Sequence, residues 1–405
     1  MKPFVLLLAV LTFCLFGACP REVAAKPGVS VIRIGEHADK TRLVLEISEA
    51  PNYRVFLLPN PYRVVIDLPE LDWSVPERKI PKGRGAIEAL RFGLFAPGTS
   101  RVVLDLNQPV LIKEVFVLPP KEGLPYRMVV DIEPVSVAAF NSAPPDRLGA
   151  RSQEPLRIAQ PGVSPTVQPS SAGDSRPTIV IDPGHGGIDP GSTSLSGLVE
   201  KNLSLSYAKE LKRQLEASGR FRVVLTRETD IFLALRDRIA VAHQAKGDLF
   251  VSLHANNHKS RRIKGFSVYT LSEKSSDSEA RSLAAKENKA DIIAGFDLSE
   301  QTEVVRDILI DLAQRESKNQ GKQFAGNVVN EVGQVAGLLG NPHRYAGFAV
   351  LKSPTIPSVL IEIGYLSNRA EEKQLRSPDY RRKLMSALAR SIGIYFEENQ
   401  TFNRY

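Results

Sequence analysis

The feature that most constrains this 405-residue chain is a long internal stretch that cannot build a core. Between Pro134 and Pro177 the sequence is rich in Pro, Ser, Ala, Gly and Gln and shows little hydrophobic periodicity. This composition favours an extended linker, because too few apolar side chains are present to offset the entropy lost on folding. A linker over residues 136–176 therefore predicts two separately folded domains, at 26–135 and 177–405.

Residues 1–25 have the pattern of a secretory signal peptide. Lys2 precedes an apolar run over residues 4–16, and small residues follow up to Ala25. The pattern predicts export and cleavage after Ala25, and no membrane span is expected in the mature chain. The alternative is a lipoprotein signal in which Cys19 becomes the lipidated first residue, although Phe16 fits that pattern poorly.

Cysteine usage and net charge limit the chemistry and the partners. Cys14 and Cys19 are the only cysteines and both lie in the predicted signal peptide, so a metal in the mature protein must be held by nitrogen and oxygen ligands. The formal net charge of +8 favours polyanionic partners. Outside the cytoplasm nucleic acid is a poor candidate, which leaves an anionic cell-wall polymer, an anionic membrane surface, or a basic surface without a partner.

The first domain has the alternation of apolar and polar residues that is typical of strands. Strands are expected at residues 29–34, 41–47, 53–58 and 62–68. Two of them are echoed later: RLVLEI at 42–47 by RVVLDL at 101–106, and PYRVVIDL at 61–68 by PYRMVVDI at 125–132. A spacing of about 60 residues in both pairs predicts duplicated half-units, most simply two similar sheets packed as a sandwich.

These repeated segments also identify a family. Residues 29–134 resemble the AMIN domain, a peptidoglycan-binding targeting module of bacterial envelope proteins. The resemblance implies that this domain brings the chain to the cell wall, while the linker lets the second domain search nearby substrate.

The second domain alternates strand-like and helix-like segments. Strands are expected at 178–182, 221–226, 248–254, 265–271, 347–351 and 357–363, and helices at about 200–218, 233–246, 278–333 and 377–397. Strands separated by helices predict an α/β domain whose mostly parallel sheet has helices on both faces.

Four polar residues fall where working groups of such a sheet gather, beyond the carboxyl ends of the strands. His185, His254 and Glu362 each follow or end a predicted strand, and Glu200 begins the first helix. Two imidazoles and one carboxylate would leave an open position on a catalytic metal. Taken singly, each histidine could be a hydrogen-bonded structural residue and Glu200 a helix N-terminal acid. The glycine-rich turn at His185 matches neither common phosphate-binding pattern.

The joint pattern resembles the zinc-dependent N-acetylmuramoyl-L-alanine amidases of the Amidase_3 family. The matching segments are IDPGHGGIDPG at 181–191, EKNL at 200–203, LTR at 225–227 with Asp230, SLHAN at 252–256 and PSVLIEIGYLSN at 357–368. The resemblance covers about residues 178–397. It implies that His185, Glu200 and His254 bind Zn²⁺, that Glu362 is the catalytic carboxylate, and that the substrate is the amide between N-acetylmuramic acid and L-alanine in peptidoglycan.

Three arginines lie near this pattern. Arg227, Arg236 and Arg238 could contact acidic groups of the substrate, but arginines beside Asp230 and Asp237 more often make structural pairs.

A helical insertion at about 275–320 is longer than one crossover helix requires. In division-associated members of the resembled family, an insertion here blocks the zinc with a glutamate until an activator removes it. The resemblance therefore implies autoinhibition, a LytM-type activator, and a place in the periplasm at the division septum. Glu303 and Glu300 are the candidate blocking carboxylates, and the alternative is that both are exposed acids on a packing helix.

Two other functions stay open at this point. The chain could be a non-catalytic peptidoglycan-binding scaffold that keeps the fold, or a zinc peptidase that cuts within the stem peptides. A degenerate domain is expected to lose at least one ligand or the catalytic glutamate, whereas all four positions are present here. The sequence therefore favours the enzyme.

Overall fold

The structure is a computed structural model that describes residues 26–152, 156, 175–295 and 308–402. The predicted signal peptide, Glu300 and Glu303 lie outside the described residues. The strands of the first domain are β1 (Gly28–Glu36), β2 (Thr41–Ile47), β3 (Arg54–Leu58), β4 (Arg63–Pro69), β5 (Asp72–Trp73), β6 (Ile87–Ala96), β7 (Thr99–Leu106), β8 (Val110–Leu118) and β9 (Tyr126–Pro134).

The first domain is the predicted sandwich of two sheets. One sheet has the order β5-β1-β2-β9-β8, and the other contains β3-β4-β7-β6. The repeated segments are exchanged between the sheets, since β2 of the first half pairs with β9 of the second, and β4 pairs with β7. Alternate residues such as Leu45, Ile66, Leu104 and Val130 fill the space between the sheets, which explains the period of two in the sequence.

The first domain extends further than the sequence predicted. Residues beyond 136 form helix α1 (Val137–Asn141), helix α2 (Pro145–Leu148) and strand β10 (Gly149–Arg151), and β10 pairs with β3. The start of the predicted linker at residue 136 was therefore wrong. Phe140 anchors this segment, because its ring packs against Tyr62 with the centroids 5.1 Å apart, and one buried aromatic residue leaves no periodic signal.

The second domain contains the predicted alternation of strands and helices. Its strands are β11 (Thr178–Pro183), β12 (Arg222–Leu225), β13 (Leu249–Asn256), β14 (Phe266–Leu271), β15 (Leu338–Ala346) and β16 (Ser358–Tyr365). Its helices are α3 (Glu200–Ala217), α4 (Leu235–Gln244), α5 (Ser278–Glu287), α6 (Ala290–Ile293), α7 (Ile308–Gly333), α8 (Arg369–Arg376) and α9 (Pro378–Phe402). Within the described residues no helix is both long and apolar enough to cross a membrane.

The sheet of this domain has the order β12-β11-β13-β16-β14-β15. The first four strands are parallel, whereas β14 runs antiparallel to β16. The strand predicted at 347–351 was wrong, because β15 precedes it and Ala349–Leu351 form a turn of 3-10 helix. Val350 and Leu351 are buried without being in a strand, while Pro342 is tolerated in β15 because that strand lies at the edge of the sheet.

The two faces of this sheet carry different layers. Val251, Leu253 and Ile361 face a core shared with α3, α7 and α9. Phe250 and Leu360 face the opposite side, toward the core that includes residues of α4 and α5. Because side chains alternate along a strand, His254 and Glu362 point to this second side, where α5 lies.

Candidate metal centre

His185 reaches the site through a crowded turn after β11. Its φ of 61° places a non-glycine residue in the left-handed region. A Cβ atom at Gly184 would lie 2.3 Å from the His254 ring, and one at Gly191 would lie 2.5 Å from the His185 ring. Glycine is therefore required at both positions, because the imidazoles occupy the space that any side chain would need.

Two buried arginines hold this turn in place. Arg227 donates to the carbonyls of Pro183 at 3.0 Å and Gly184 at 2.9 Å, and Arg238 donates to the carbonyl of His185 at 2.9 Å. Arg238 also pairs with the buried Asp182 at 2.8 Å. These contacts support the structural interpretation of both arginines, whereas the side chain of Arg236 is 71% exposed.

The predicted metal ligands converge on one point. The Nε2 atom of His185 lies 3.0 Å from Oε1 of Glu200 and 3.2 Å from Nδ1 of His254, which in turn lies 3.2 Å from the same carboxylate oxygen. The other ring nitrogen of His185 lies 2.8 Å from Asp189, which orients the imidazole. Backbone N–H groups of Ser192 and Ala255 donate to Glu200 at 2.7 and 2.9 Å.

A second carboxylate, Glu287 of α5, reaches the same two histidines. Its Oε2 atom lies 3.4 Å from both His185 Nε2 and His254 Nδ1, and the three residues form a cluster able to hold a metal ion. Lys286 holds the other oxygen of Glu287 at 3.0 Å. The blocking carboxylates expected from the sequence, Glu300 and Glu303, both lie outside the described residues.

The sequence contains a signal for Glu287 that was missed. Ala280, Leu283 and Ala284 are the buried stripe of α5, and Glu287 continues it at the next position of the same helical face. A carboxylate in a buried stripe requires a partner, since an unpaired buried charge is costly.

Glu362 stands beside this centre on the neighbouring strand. It pairs in register with His254, and its side chain is buried. Burial, reinforced by the carboxylates of Glu200 and Glu287, raises the pKa of Glu362 well above its usual value. Among the described residues its Oε2 atom has no hydrogen-bond partner, so this oxygen is available to a reactant.

The pKa values of His185 and Glu200 are shifted in opposite directions. Burial by itself would lower the pKa of His185, but the carboxylates of Asp189, Glu200 and Glu287 outweigh it and raise that pKa. Burial would raise the pKa of Glu200, but His185 and Lys286 lower it well below its usual value. The negatively charged carboxylates thus surround the two imidazoles, as a site for a cation requires.

The chain is similar in sequence to proteins of known family. The family model described as N-acetylmuramoyl-L-alanine amidase matches residues 179–393, and the AMIN domain model matches residues 31–117. The amidase AmiC of Escherichia coli O6:H1 is 33% identical over 95% of this chain and 93% of its own length. AmiC of Neisseria meningitidis serogroup B is 35% identical over 91% of this chain and 90% of its own. Among solved structures, amidase AmiC2 of Nostoc punctiforme is 28% identical over 55% of this chain and 97% of its own, with a TM-score of 0.41.

Proposed function

Since this chain belongs to the N-acetylmuramoyl-L-alanine amidase family and is a peptidoglycan amidase, we propose that it is a zinc enzyme held inactive by Glu287 of its own helix α5. His185, Glu200 and His254 are the proposed zinc ligands, and Glu362 is the proposed catalytic carboxylate. The observation that carries the proposal is the convergence of the three proposed ligands with Glu287 at one buried point, with Glu362 in register with His254.

The donor set and its spacing fit zinc. Bonds from Zn²⁺ to imidazole nitrogen and carboxylate oxygen are about 2.0–2.2 Å long, so tetrahedral ligand atoms lie about 3.3 Å apart. The triangle of His185, His254 and Glu200 has sides of 3.0, 3.2 and 3.2 Å, and the triangle with Glu287 has sides of 3.2, 3.4 and 3.4 Å. When bound, zinc acidifies water toward a pKa of about 7 and polarises a carbonyl as a Lewis acid.

The residues of the chain supply the rest of the chemistry. Glu362 accepts the proton of the attacking water and passes it to the leaving amine of L-alanine. Asp189 fixes which ring nitrogen of His185 faces the metal, through the 2.8 Å contact to Nδ1. The hydrogen bonds to Glu200 hold this ligand in one orientation, which limits the reorganisation needed during the reaction.

Glu287 explains how the resting enzyme is kept inactive. Its Oε2 atom, 3.4 Å from both His185 Nε2 and His254 Nδ1, would take a position on the zinc that water and substrate need. Glu300 and Glu303, the candidates from the sequence, lie outside the described residues. We further propose that the chain is exported to the periplasm, that a LytM-type activator displaces α5 at the division septum, and that the AMIN domain binds peptidoglycan.

Release of soluble peptide from purified sacculi tests the enzyme. Glu362→Gln is expected to lower the rate by about 100-fold to 10,000-fold, because it removes a proton-transfer group. Glu216→Gln, which alters a half-exposed glutamate of α3, is the matched control and should keep the parent rate. Binding of sacculi without release would support the scaffold alternative, and products cut within the stem, recognised by mass, would support the peptidase.

Metal content tests the proposed zinc binding, and the basal rate tests the proposed inhibition by Glu287. Elemental analysis should find zinc in the intact protein and a loss of zinc in His254→Ala. Glu287→Gln should raise the basal rate by about 5-fold to 150-fold, the range of a coupling free energy of 1–3 kcal/mol, and should speed hydrogen exchange in α5. Glu273→Gln, an exposed glutamate just before α5, should change neither. A zinc-free active enzyme, or an unchanged basal rate in a folded Glu287→Gln variant, would contradict the respective proposal.

A further inference from the structure

Helix α5 carries two glutamates whose side chains contact the rest of the catalytic domain. Glu287, at its end, reaches the metal centre, and Glu279 lies in its first turn. The two residues are eight positions apart, which at 1.5 Å per residue separates them by about 12 Å along the helix axis. Ala280, Leu283 and Ala284 are buried between them, so α5 fills a groove that leads from the metal centre toward β15.

Glu279 is contacted by an arginine, a tyrosine hydroxyl and a histidine ring. Arg344 of β15 donates from Nη1 to Glu279 Oε2 at 2.9 Å. The Tyr365 hydroxyl donates to Glu279 Oε1 at 3.5 Å, and the ring of His258 lies 4.0 Å from the same oxygen. The side chain of Arg344 is only 12% exposed while α5 covers it. Removal of α5 would also remove Asp277, the residue just before the helix, whose Oδ2 atom lies 3.5 Å from Arg344 Nε, so Arg344 would lose both carboxylates that contact it.

An independent observation marks the same place as a binding site. Among the described residues, Ser267 Oγ and Tyr269 OH are buried polar atoms that meet no hydrogen-bond criterion, and Arg344 Nε has only Asp277 Oδ2 at 3.5 Å. Tyr269 is in register with Arg344 on one side, and Ser267 is in register with Glu362 on the other. Polar groups with few or poor hydrogen bonds therefore form a row from Glu362 to Arg344, although buried polar groups are normally well hydrogen-bonded.

We propose that Arg344, with Tyr365 and His258, is an anion subsite that binds a carboxylate of the peptide stem once α5 has left the groove. Glu279 occupies this subsite in the resting protein, as Glu287 occupies the metal centre. The inference rests on the proposed function, since it assigns a substrate contact to the same site.

The distance between the two carboxylates indicates which acid binds. An extended peptide advances about 3.3–3.6 Å per residue, so 12 Å corresponds to about three to four residues. A stem that starts at the scissile amide would place the side-chain carboxylate of its third or fourth residue at Arg344. A bidentate or charge-assisted hydrogen bond at this point would select stems with a free acid over amidated stems.

The test uses the full chain with Glu287→Gln, so that the groove can open, and two soluble muramyl peptides. One carries a free carboxylate on the third residue, and in the other this group is amidated. Arg344→Gln should raise KM for the free acid by about tenfold or more, with little change in kcat, and should leave KM for the amidated peptide unchanged. Arg344→Lys should retain part of the preference, because it keeps the charge. Arg390→Gln, which removes an arginine paired with Glu331 at 2.9 Å, is the matched control.

The results separate this inference from the function on which it rests. If the parent cleaves both peptides and Arg344→Gln weakens both equally or neither, the anion subsite is refuted and Arg344 only fastens α5. The melting temperature and the retained preference of Arg344→Lys distinguish a misfolded variant from a lost contact. If the parent cleaves neither peptide although zinc is bound, the proposed zinc mechanism fails together with the subsite.

Discussion

The two outer faces of the sandwich carry the same ion pair in two different settings. Arg101 pairs with Asp67 at 2.5 Å on the sheet that contains β4 and β7, and Arg42 pairs with Asp131 at 2.6 Å on the sheet that contains β2 and β9. The sequence repeat makes these pairs equivalent, since Arg42 and Arg101 begin the echoed segments. The side chain of Arg101 is nevertheless 7% exposed, whereas that of Arg42 is 31% exposed.

The catalytic domain causes this difference. Arg101 donates to the carbonyl of Ala294 at 2.9 Å, and Arg63 donates to the carbonyl of Ile292 at 2.5 Å, so both arginines contact the segment that follows α5. Phe95 of the sandwich stacks with Phe232 of the catalytic domain, with the ring centroids 6.1 Å apart. One face of the duplicated sandwich is therefore used inside the molecule, next to the helix that carries Glu287.

The contribution of an ion pair to the free energy of unfolding therefore depends on its burial. A buried pair contributes mainly through the large cost of breaking it, whereas a partly exposed pair contributes little because water and salt already screen the charges. The sequence repeat gives two equivalent ion pairs, and the packing of the catalytic domain against one face buries only the Arg101–Asp67 pair.

The largest effect is expected from Arg101→Ala. It leaves the buried Asp67 without its partner and removes the hydrogen bond to Ala294, so the free energy of unfolding of the sandwich should fall by about 3–5 kcal/mol. Denaturant unfolding followed by tryptophan fluorescence measures this, because Trp73 is the only tryptophan and lies in the sandwich. A loss no greater than that of Arg42→Ala would contradict the comparison.

An intermediate effect is expected from Gly93→Ala at the contact between the domains. The added Cβ would lie 2.7 Å from the carbonyl oxygen of Gly187, which is backbone and cannot yield cheaply. Overpacking of this kind costs about 1–3 kcal/mol, and hydrogen exchange of residues 290–295 should become faster. Gly28→Ala is the control, since its Cβ would meet only Asp72 at 3.8 Å. Equal exchange in both variants would show that this face does not hold the segment after α5.

A small effect is expected from Arg42→Ala. Asp131 keeps Lys40 at 2.6 Å as a partner, and the Arg42 side chain is 31% exposed, so the loss should be about 0.2–1 kcal/mol. The same denaturant experiment measures it, and 1 M salt should reduce it further. A loss above about 3 kcal/mol would mean that the open face is as strongly coupled as the covered one.

The smallest effect is the pH dependence of the stability difference between the parent protein and Arg42→Ala. Burial by itself raises the pKa of Asp131, but hydrogen bonds from Arg42 and Lys40 outweigh it and the pKa is lowered. A lowered folded-state pKa gives stability that is complete above the ordinary aspartate value of about 3.9 and is lost as the pH falls through the folded-state value. The gap between the parent and Arg42→Ala should therefore be constant near neutral pH and close in acid. A gap that widens in acid would contradict this sign.

Local patterns predicted most strands, helices and their partners. The period of two in β2, β4, β7 and β9 and the alternation of strands with helices after residue 177 were sufficient for both fold classes, which are confirmed. The errors fell where local pattern and packing disagree, as at β10, which one buried Phe140 holds against the sandwich. At residues 349–351 an apolar run predicted a strand, but these residues are buried in a turn of 3-10 helix.

The sequence by itself determined that His185, His254 and Glu362 would gather, because the carboxyl ends of neighbouring strands must meet at one edge of the sheet. Only the tertiary structure decided that Glu287 joins them, that Glu279 meets Arg344, and that one outer face of the sandwich is covered. These contacts join segments whose own patterns are ordinary helix or strand, so no local preference encodes them. They arise from which surfaces pack together once each domain has folded.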